Sequence, residues 1–183
     1  MVSSVRHTDA EVRLARPADS AELAVIAREA YGKYAGLLDE PPAPTLLDYE
    51  AVASSGRTYV AVEDGVVHGM VTVEESDGYL VLRNLAVRPS SQGRGIGTRL
   101  ALMVEELARS RSLAGVRLWT RAEMSDNIAF YERLDYVLTH TEQSATARRV
   151  FFCKRFPDTT GALGAQSRGL ISSTTIERNG SEH

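Results

Sequence analysis

Leu85-Ala86-Val87-Arg88-Pro89-Ser90-Ser91-Gln92-Gly93-Arg94-Gly95-Ile96-Gly97-Thr98 joins an apolar run to an amphipathic one through alternating glycines. Upstream, Tyr79 to Val87 reads as a long strand buried on both faces, interrupted only by Arg83 and Asn84. Pro89 ends it. Downstream, Ile96, Leu100, Met103 and Leu107 line one face of a helix expected from about Gly95 to Arg109. Glycine tolerates positive φ and lets backbone N–H groups approach an anion. The first turn of the helix adds unpaired N–H groups and a positive dipole end. Strand, glycine loop and helix together make a phosphate cradle, to which Arg94 can add a charge.

Toward the N-terminus lies a β-meander. Thr58 to Glu63 and Val66 to Glu74 are joined by Asp64-Gly65, a strong hairpin signal, and Ser76-Asp77-Gly78 turns into the long strand. Before the meander, Val12 to Ala15 reads as a short strand. Asp19 and Glu22 then suggest a capping box opening a helix with Leu23, Ile26, Ala30, Tyr34 and Leu37 on one face. Asp39-Glu40-Pro41-Pro42-Ala43-Pro44 must break it, and a second short helix runs from Thr45 to about Ala53. Toward the C-terminus the expected order is a strand at Val116 to Thr120, then a helix from Asn127 to Leu134 capped by Ser125 or Asp126. A hairpin of Tyr136 to His140 and Arg149 to Lys154 closes the series. The fold class is therefore α/β or α+β, with a mixed, mostly antiparallel central sheet flanked by helices. The helix from Gly95 makes the strands on either side of it parallel neighbours.

The 183 residues suit one domain at 11–156, with a flexible N-terminus at 1–10 and a disordered tail at 157–183, rich in Gly, Ser and Thr. A net charge of -3 argues against a nucleic-acid partner. No run approaches the roughly 20 apolar residues of a membrane span, and nothing at the N-terminus has the length of a signal core. The single cysteine, Cys153, sits in an apolar run and reads as a buried structural residue; with no disulfide available, a reducing, cytoplasmic location is expected.

Two other nucleotide loops fit poorly. A P-loop needs Lys-Ser/Thr after its last glycine, where this chain has Thr98-Arg99. The dinucleotide fingerprint needs G-x-G-x-x-G directly after a strand near the start of a βαβ fold, whereas these glycines stand at 93, 95 and 97 behind a meander. The segment instead resembles the Q/R-x-x-G-x-G/A acyl-CoA motif of the GNAT superfamily of N-acetyltransferases. Leu85-Ala86-Val87-Arg88-Pro89 stands at that family's L-A-V-x-P strand end. Asn127-Ile128-Ala129-Phe130-Tyr131-Glu132-Arg133-Leu134-Asp135-Tyr136 is similar to its later A-x-x-(F/L)-Y-x-x-x-G-(F/Y) helix. The resemblance covers about Val12 to Phe156.

The resemblance implies an N-acetyltransferase that uses acetyl-CoA as co-substrate, without a metal. A primary amine of a small molecule or peptide would attack the thioester directly in a ternary complex. The fourth and fifth strands would splay so that pantetheine lies between them. Cofactor contacts are implied at Leu85, Ala86, Val87, Gln92, Gly93, Arg94, Gly95, Ile96, Gly97, Thr98, Asn127 and Tyr131, with Tyr131 the catalytic proton donor to the leaving thiolate. The chain departs from the pattern at Met124, where the family often has a cofactor-binding asparagine that Asn127, one turn later, either replaces or merely follows as a helix cap, at Asp135, and at Arg83 and Asn84, where many members carry a carboxylate base. Glu74, Glu75, Asp77, Glu123 and His68 are the remaining candidates for a base. The acidic proline loop with Tyr31, Tyr34 and Tyr49 suits a cationic acceptor. A non-catalytic acyl-CoA sensor is the alternative that the missing carboxylate motivates. The hairpin around Phe151 and Phe152 is either core or the face of a possible homodimer.

Overall fold

The computed structural model describes residues 10–34, 36–38 and 40–157. Residues 1–9 and 158–183 of the expected terminal segments, and Asp39 of the proline loop, lie outside the described residues. Strand β1 (Glu11–Leu14) leads through a 3-10 turn into α1 (Ser20–Gly32), and a second 3-10 turn at Ala43–Leu46 precedes α2 (Tyr49–Ser54). The meander is β2 (Thr58–Glu63), β3 (Val66–Ser76) and β4 (Tyr79–Val87). Then come α3 (Ile96–Ser110), β5 (Gly115–Arg121), α4 (Ser125–Glu132) and the hairpin β6 (Val137–Gln143) and β7 (Arg148–Arg155). The strands form one 7-stranded sheet in the order β1-β2-β3-β4-β5-β7-β6. Only β4 and β5 run parallel. No helix among the described residues is long and apolar enough to cross a membrane.

The sheet is covered on both faces. Ile96, Leu100, Val104 and Ala108 of α3 pack with Val71, Val73, Leu80, Leu82, Val116, Leu118 and Phe152. On the other face, Leu23, Ile26 and Ala27 of α1 and Tyr49 and Ala53 of α2 pack with Val60, Val67, Met70 and Ala86. Phe152 is thus core, while Phe151 stacks on His140 with ring centroids 4.3 Å apart. Cys153 is only partly buried, more open than its apolar neighbours suggest.

Four local expectations need correction. The helix expected from Thr45 begins only at Tyr49, Thr45 lying in the preceding 3-10 turn. Asp19 does not cap α1, because its carboxylate is taken by the Arg13 guanidinium at 2.8 and 2.9 Å and by the Arg16 N–H at 2.7 Å. Helix α1 stops at Gly32 and does not reach Leu37: the N–H groups of Tyr34 and Leu37 close successive turns, and Gly36 turns left-handed with φ +84°. Helix α4 begins at Ser125, before the expected start, and no side chain caps it. Asp48, which the sequence does not single out, does cap α2 by accepting from the N–H groups of Glu50 and Ala51.

The Arg13 guanidinium holds the Asp19 carboxyl below its ordinary value, with the Arg16 N–H adding to the effect against a cost of burial. A depressed folded-state value means that the stabilisation is complete above the unfolded carboxylate pKa of about 3.9 and is lost as pH falls through the lower folded value. Asp19→Asn is therefore expected to cost about 1.5–3 kcal/mol near neutral pH. The gap from the parent should close on acidification, and urea unfolding of both proteins at pH 7 and at pH 3 measures it.

Two features of the sheet position the site. Thr72 pairs with Asn84 and Val73 with Leu82, so Arg83 is an extra residue, a bulge that bends β4. The β4–β5 ladder covers only Leu80–Leu82 against Val116–Leu118. Beyond it the two strands are unpaired with each other, and a notch opens toward Val87.

Candidate active site

The notch widens into a cleft of about 740 Å³, bounded by the end of β4, the glycine loop, the start of α3, helix α4 and the end of α1. Leu85, Ala86, Val87, Gln92, Gly93, Gly95, Ile96, Gly97, Thr98, Asn127 and Tyr131 all line it. Arg94 alone among the expected contacts does not: its guanidinium is ion-paired with Glu63 of β2.

Loop geometry follows from its glycines. Gly93 and Gly95 take φ values of +75° and +89°, which an L-residue adopts only at a cost. Gly95 is the residue from which α3 starts. The N–H groups of Ser91 and Gln92 close a 3-10 turn on Arg88 and Pro89, and the next N–H used is that of Arg99, donating to Gly95. Between them the consecutive N–H groups from Gly93 to Thr98 meet no acceptor among the described residues. Such a row at a helix start is suited to an anion by its own electrostatics. Gln92 contributes differently, its side-chain amide donating to the Val87 carbonyl at 3.1 Å and bracing the loop against the strand.

Across the cleft, Tyr131 stands within a cluster of rings, 5.1 Å from Phe130, 5.7 Å from Tyr136 and 6.3 Å from Phe152. Its hydroxyl hydrogen-bonds to no described residue, and burial holds its pKa well above the ordinary phenol value. It is a protonated donor without a partner at neutral pH. Asn127 lies inside α4, so it does not cap the helix; its amide leans on Thr120 Oγ1 at 3.4 Å and on the Met124 sulfur at 3.5 Å.

The departures at Arg83 and Asn84 now have structural reasons. Arg83, on the bulge, is exposed and reaches Glu74 at 3.0 Å. Asn84 is 6% exposed and accepts from the Tyr31 hydroxyl at 2.7 Å, tying β4 to α1. Burial pushes the Tyr31 hydroxyl far above its ordinary pKa and Tyr49 up to about 12. None of the carboxylates weighed as bases lines the cleft. Glu74 is held by Arg57 and Arg83, Glu75 by Arg111 and Glu123 by Arg121, while Asp77 sits in the β3–β4 turn. His68 also lies off the cleft, against Ser91.

Sequence reasoning missed several groups. Lys33 of the α1 end and Asp126 of α4 meet at 2.8 Å over the cleft, and Arg133 lines the same wall. No local signal could have joined Lys33 to Asp126 across such a separation. A smaller cavity of about 320 Å³ shares Tyr31 and Tyr34 with the cleft and is walled by Glu40, Pro41 and Pro42. Arg28 lines it too, so it is not the uniformly acidic entrance that the loop suggested. Among the described residues no three His, Cys, Asp or Glu side chains gather as a metal would require.

Known proteins match this chain in family and in fold. Residues 22–136 match the model of the Acetyltransferase (GNAT) family. An IAA acetyltransferase of Azospirillum brasilense is 29% identical over 125 residues, covering 67% of this chain and 82% of the relative. The PaiA N-acetyltransferase of Thermoplasma acidophilum, solved with coenzyme A, superposes with a TM-score of 0.67 at 19% identity over 81% of this chain and 100% of its own. The ribosomal-protein-S18-alanine N-acetyltransferase of Escherichia coli gives 0.65 at 17% identity, over 80% of this chain and 93% of its own.

Proposed function

The chain belongs to the acetyltransferase (GNAT) family, and on that premise we propose that it moves the acetyl group of acetyl-CoA to a primary amine, which attacks the thioester while both are bound. The observation that carries this reading is the pairing, in one cleft, of the free N–H row from Gly93 to Thr98 with the unpartnered Tyr131 hydroxyl. The row takes the pyrophosphate. Pantetheine extends along the open edge of β4, where the backbone of Leu85 and Val87 can pair with its amides, and an N–H there supports the oxyanion of the tetrahedral intermediate. Asn127 and Tyr131 face the thioester end, and Tyr131 donates a hydrogen bond to the departing thiolate. Arg94 reaches the phosphates only by leaving Glu63.

The acceptor enters by the smaller cavity behind Tyr31 and Tyr34, with Glu40 offering a carboxylate to a cationic amine and the tyrosine faces offering π-surface. An alkyl ammonium of pKa about 10 must lose a proton before it can attack. Since Glu74, Glu75 and Glu123 are engaged by arginines and Asp77 lies off the cleft in the β3–β4 turn, that proton leaves through solvent or through a group on the acceptor side.

The first test is thermal unfolding with acetyl-CoA, CoA and NADH. A ligand present at about 100 times its Kd adds about 2.7 kcal/mol to stability. The midpoint should rise with acetyl-CoA and CoA and stay put with NADH; no shift at millimolar acetyl-CoA would remove the cradle assignment. Release of free thiol with a panel of amines then separates transfer from mere sensing.

A further inference from the structure

A run of polar groups extends from the cleft wall into the sheet behind the glycine loop. Ser91 lines the cleft although it is only 2% exposed, and its Oγ lies 2.8 Å from Nδ1 of His68 on β3. Nε2 of the same ring faces the Glu63 carboxylate at 3.8 Å, and Glu63 also holds Arg94 of the loop. Arg88 donates its backbone N–H to the His68 carbonyl, yet its guanidinium turns away to the Val67 carbonyl and to Glu22 and Glu29 of α1. Glu63 and Arg94 are therefore the charged partners within this run, and Ser91 is its only outlet to the cleft.

A serine hydroxyl has one hydrogen to place. In the neutral tautomer that carries its hydrogen on Nε2, the nitrogen nearer the Glu63 carboxylate, Nδ1 accepts from Ser91. Oγ then has its hydrogen committed to the ring and only lone pairs to offer an anion in the cleft. When both ring nitrogens carry hydrogen, Nδ1 donates to Oγ and the hydroxyl hydrogen is free to turn to the anion. The imidazolium also suits Glu63, which can then give up Arg94 to the phosphates without losing a cationic partner.

We propose that Ser91 is a further contact for the cofactor's pyrophosphate, that His68 positions its hydroxyl, and that cofactor binding draws one proton from solvent onto His68. This rests on the reading of the Gly93 to Thr98 row as the pyrophosphate cradle.

Calorimetric titration with CoA near pH 7, in two buffers of different ionisation enthalpy, counts the protons taken up. Wild-type protein should take up a measurable fraction of one proton, with CoA affinity falling as pH rises. The same slope should appear with dephospho-CoA, which keeps the pyrophosphate but lacks the 3′-phosphate, a group that itself titrates near pH 6. Ser91→Ala should weaken CoA binding about three- to tenfold and flatten the slope, and His68→Gln should abolish the uptake. Tight CoA binding with no proton uptake by the wild-type protein overturns the proposal and leaves the cradle standing. Uptake that disappears with dephospho-CoA overturns it as well, since the proton then belongs to the 3′-phosphate. Failure of CoA to bind at any pH removes the cradle reading itself. The wild-type measurement decides the matter even if a variant fails to fold.

Discussion

Tyr131→Phe is expected to lower turnover about ten- to a hundredfold while the Kd for acetyl-CoA stays the same. A thiolate has a conjugate acid of pKa about 8.5 and an ordinary phenol one of about 10, so passing the whole proton to sulfur is uphill even before burial raises the tyrosine further. On the proposed reading, Tyr131 acts by donating a hydrogen bond to negative charge that develops on sulfur in the transition state. Hydrogen bonds to charged groups are worth about 1.5–3 kcal/mol, which sets the size of the effect. The substrate thioester carries no such charge, so binding is spared. Steady-state rates by thiol release, with affinity from calorimetry, test both halves. Unchanged turnover would sink the assignment, and a parallel loss of affinity would make the ring a packing element only. Tyr131 packs against Phe130, Tyr136 and Phe152, and phenylalanine keeps those contacts, so the variant should fold.

Glu105→Ala should cost about 3–5 kcal/mol, which for a chain of this size lowers the melting midpoint on the order of 10 °C. Glu105 is 1% exposed on a helix face otherwise packed against the sheet. It accepts from Lys154 of β7 at 2.9 Å and from Arg109 at 3.3 Å, while Lys154 also donates to the Leu134 carbonyl at 2.8 Å. Deleting the carboxylate leaves an ammonium inside the fold with one acceptor fewer, and that uncompensated charge is the main cost. Replacing both members, as Glu105→Leu with Lys154→Met, should recover most of the loss, because an apolar pair has nothing to desolvate. Thermal unfolding of the single and double variants measures the coupling; equal losses in all of them would place the cost in packing instead.

How much of this was legible in the sequence depends on whether the deciding interaction is local. The strand, loop and helix around Gly93 and Gly95 were readable because positive φ and helix periodicity are properties of neighbouring residues. The Asp64-Gly65 and Asp77-Gly78 turns were readable for the same reason, and all four residues adopt positive φ. Asp19 misled because the cap it resembles lost to Arg13, a partner on the preceding strand. Arg83 and Asn84 looked like a missing base; a one-residue bulge turns the first outward and the second onto Tyr31, and only the register with β3 reveals it. Arg94 was expected at the anion because it sits in the loop, but Glu63 from β2 claims it. Lys33 with Asp126, and Ser91 with His68, meet only once the chain is folded.

The short β4–β5 ladder has a mechanical meaning as well. Strands β1 to β4 hang together by long antiparallel ladders, and so do β5, β7 and β6, yet the two groups share only the Leu80–Leu82 stretch and whatever α3 and the side-chain core add. The sheet is thus two rafts moored at one end. Parting them along the notch breaks fewer ladder pairings than parting any other two neighbouring strands, since Leu80–Leu82 against Val116–Leu118 is the shortest register in the sheet. Anything seated lengthwise in the notch would add contacts to both rafts, so filling the cleft would stiffen the junction between them.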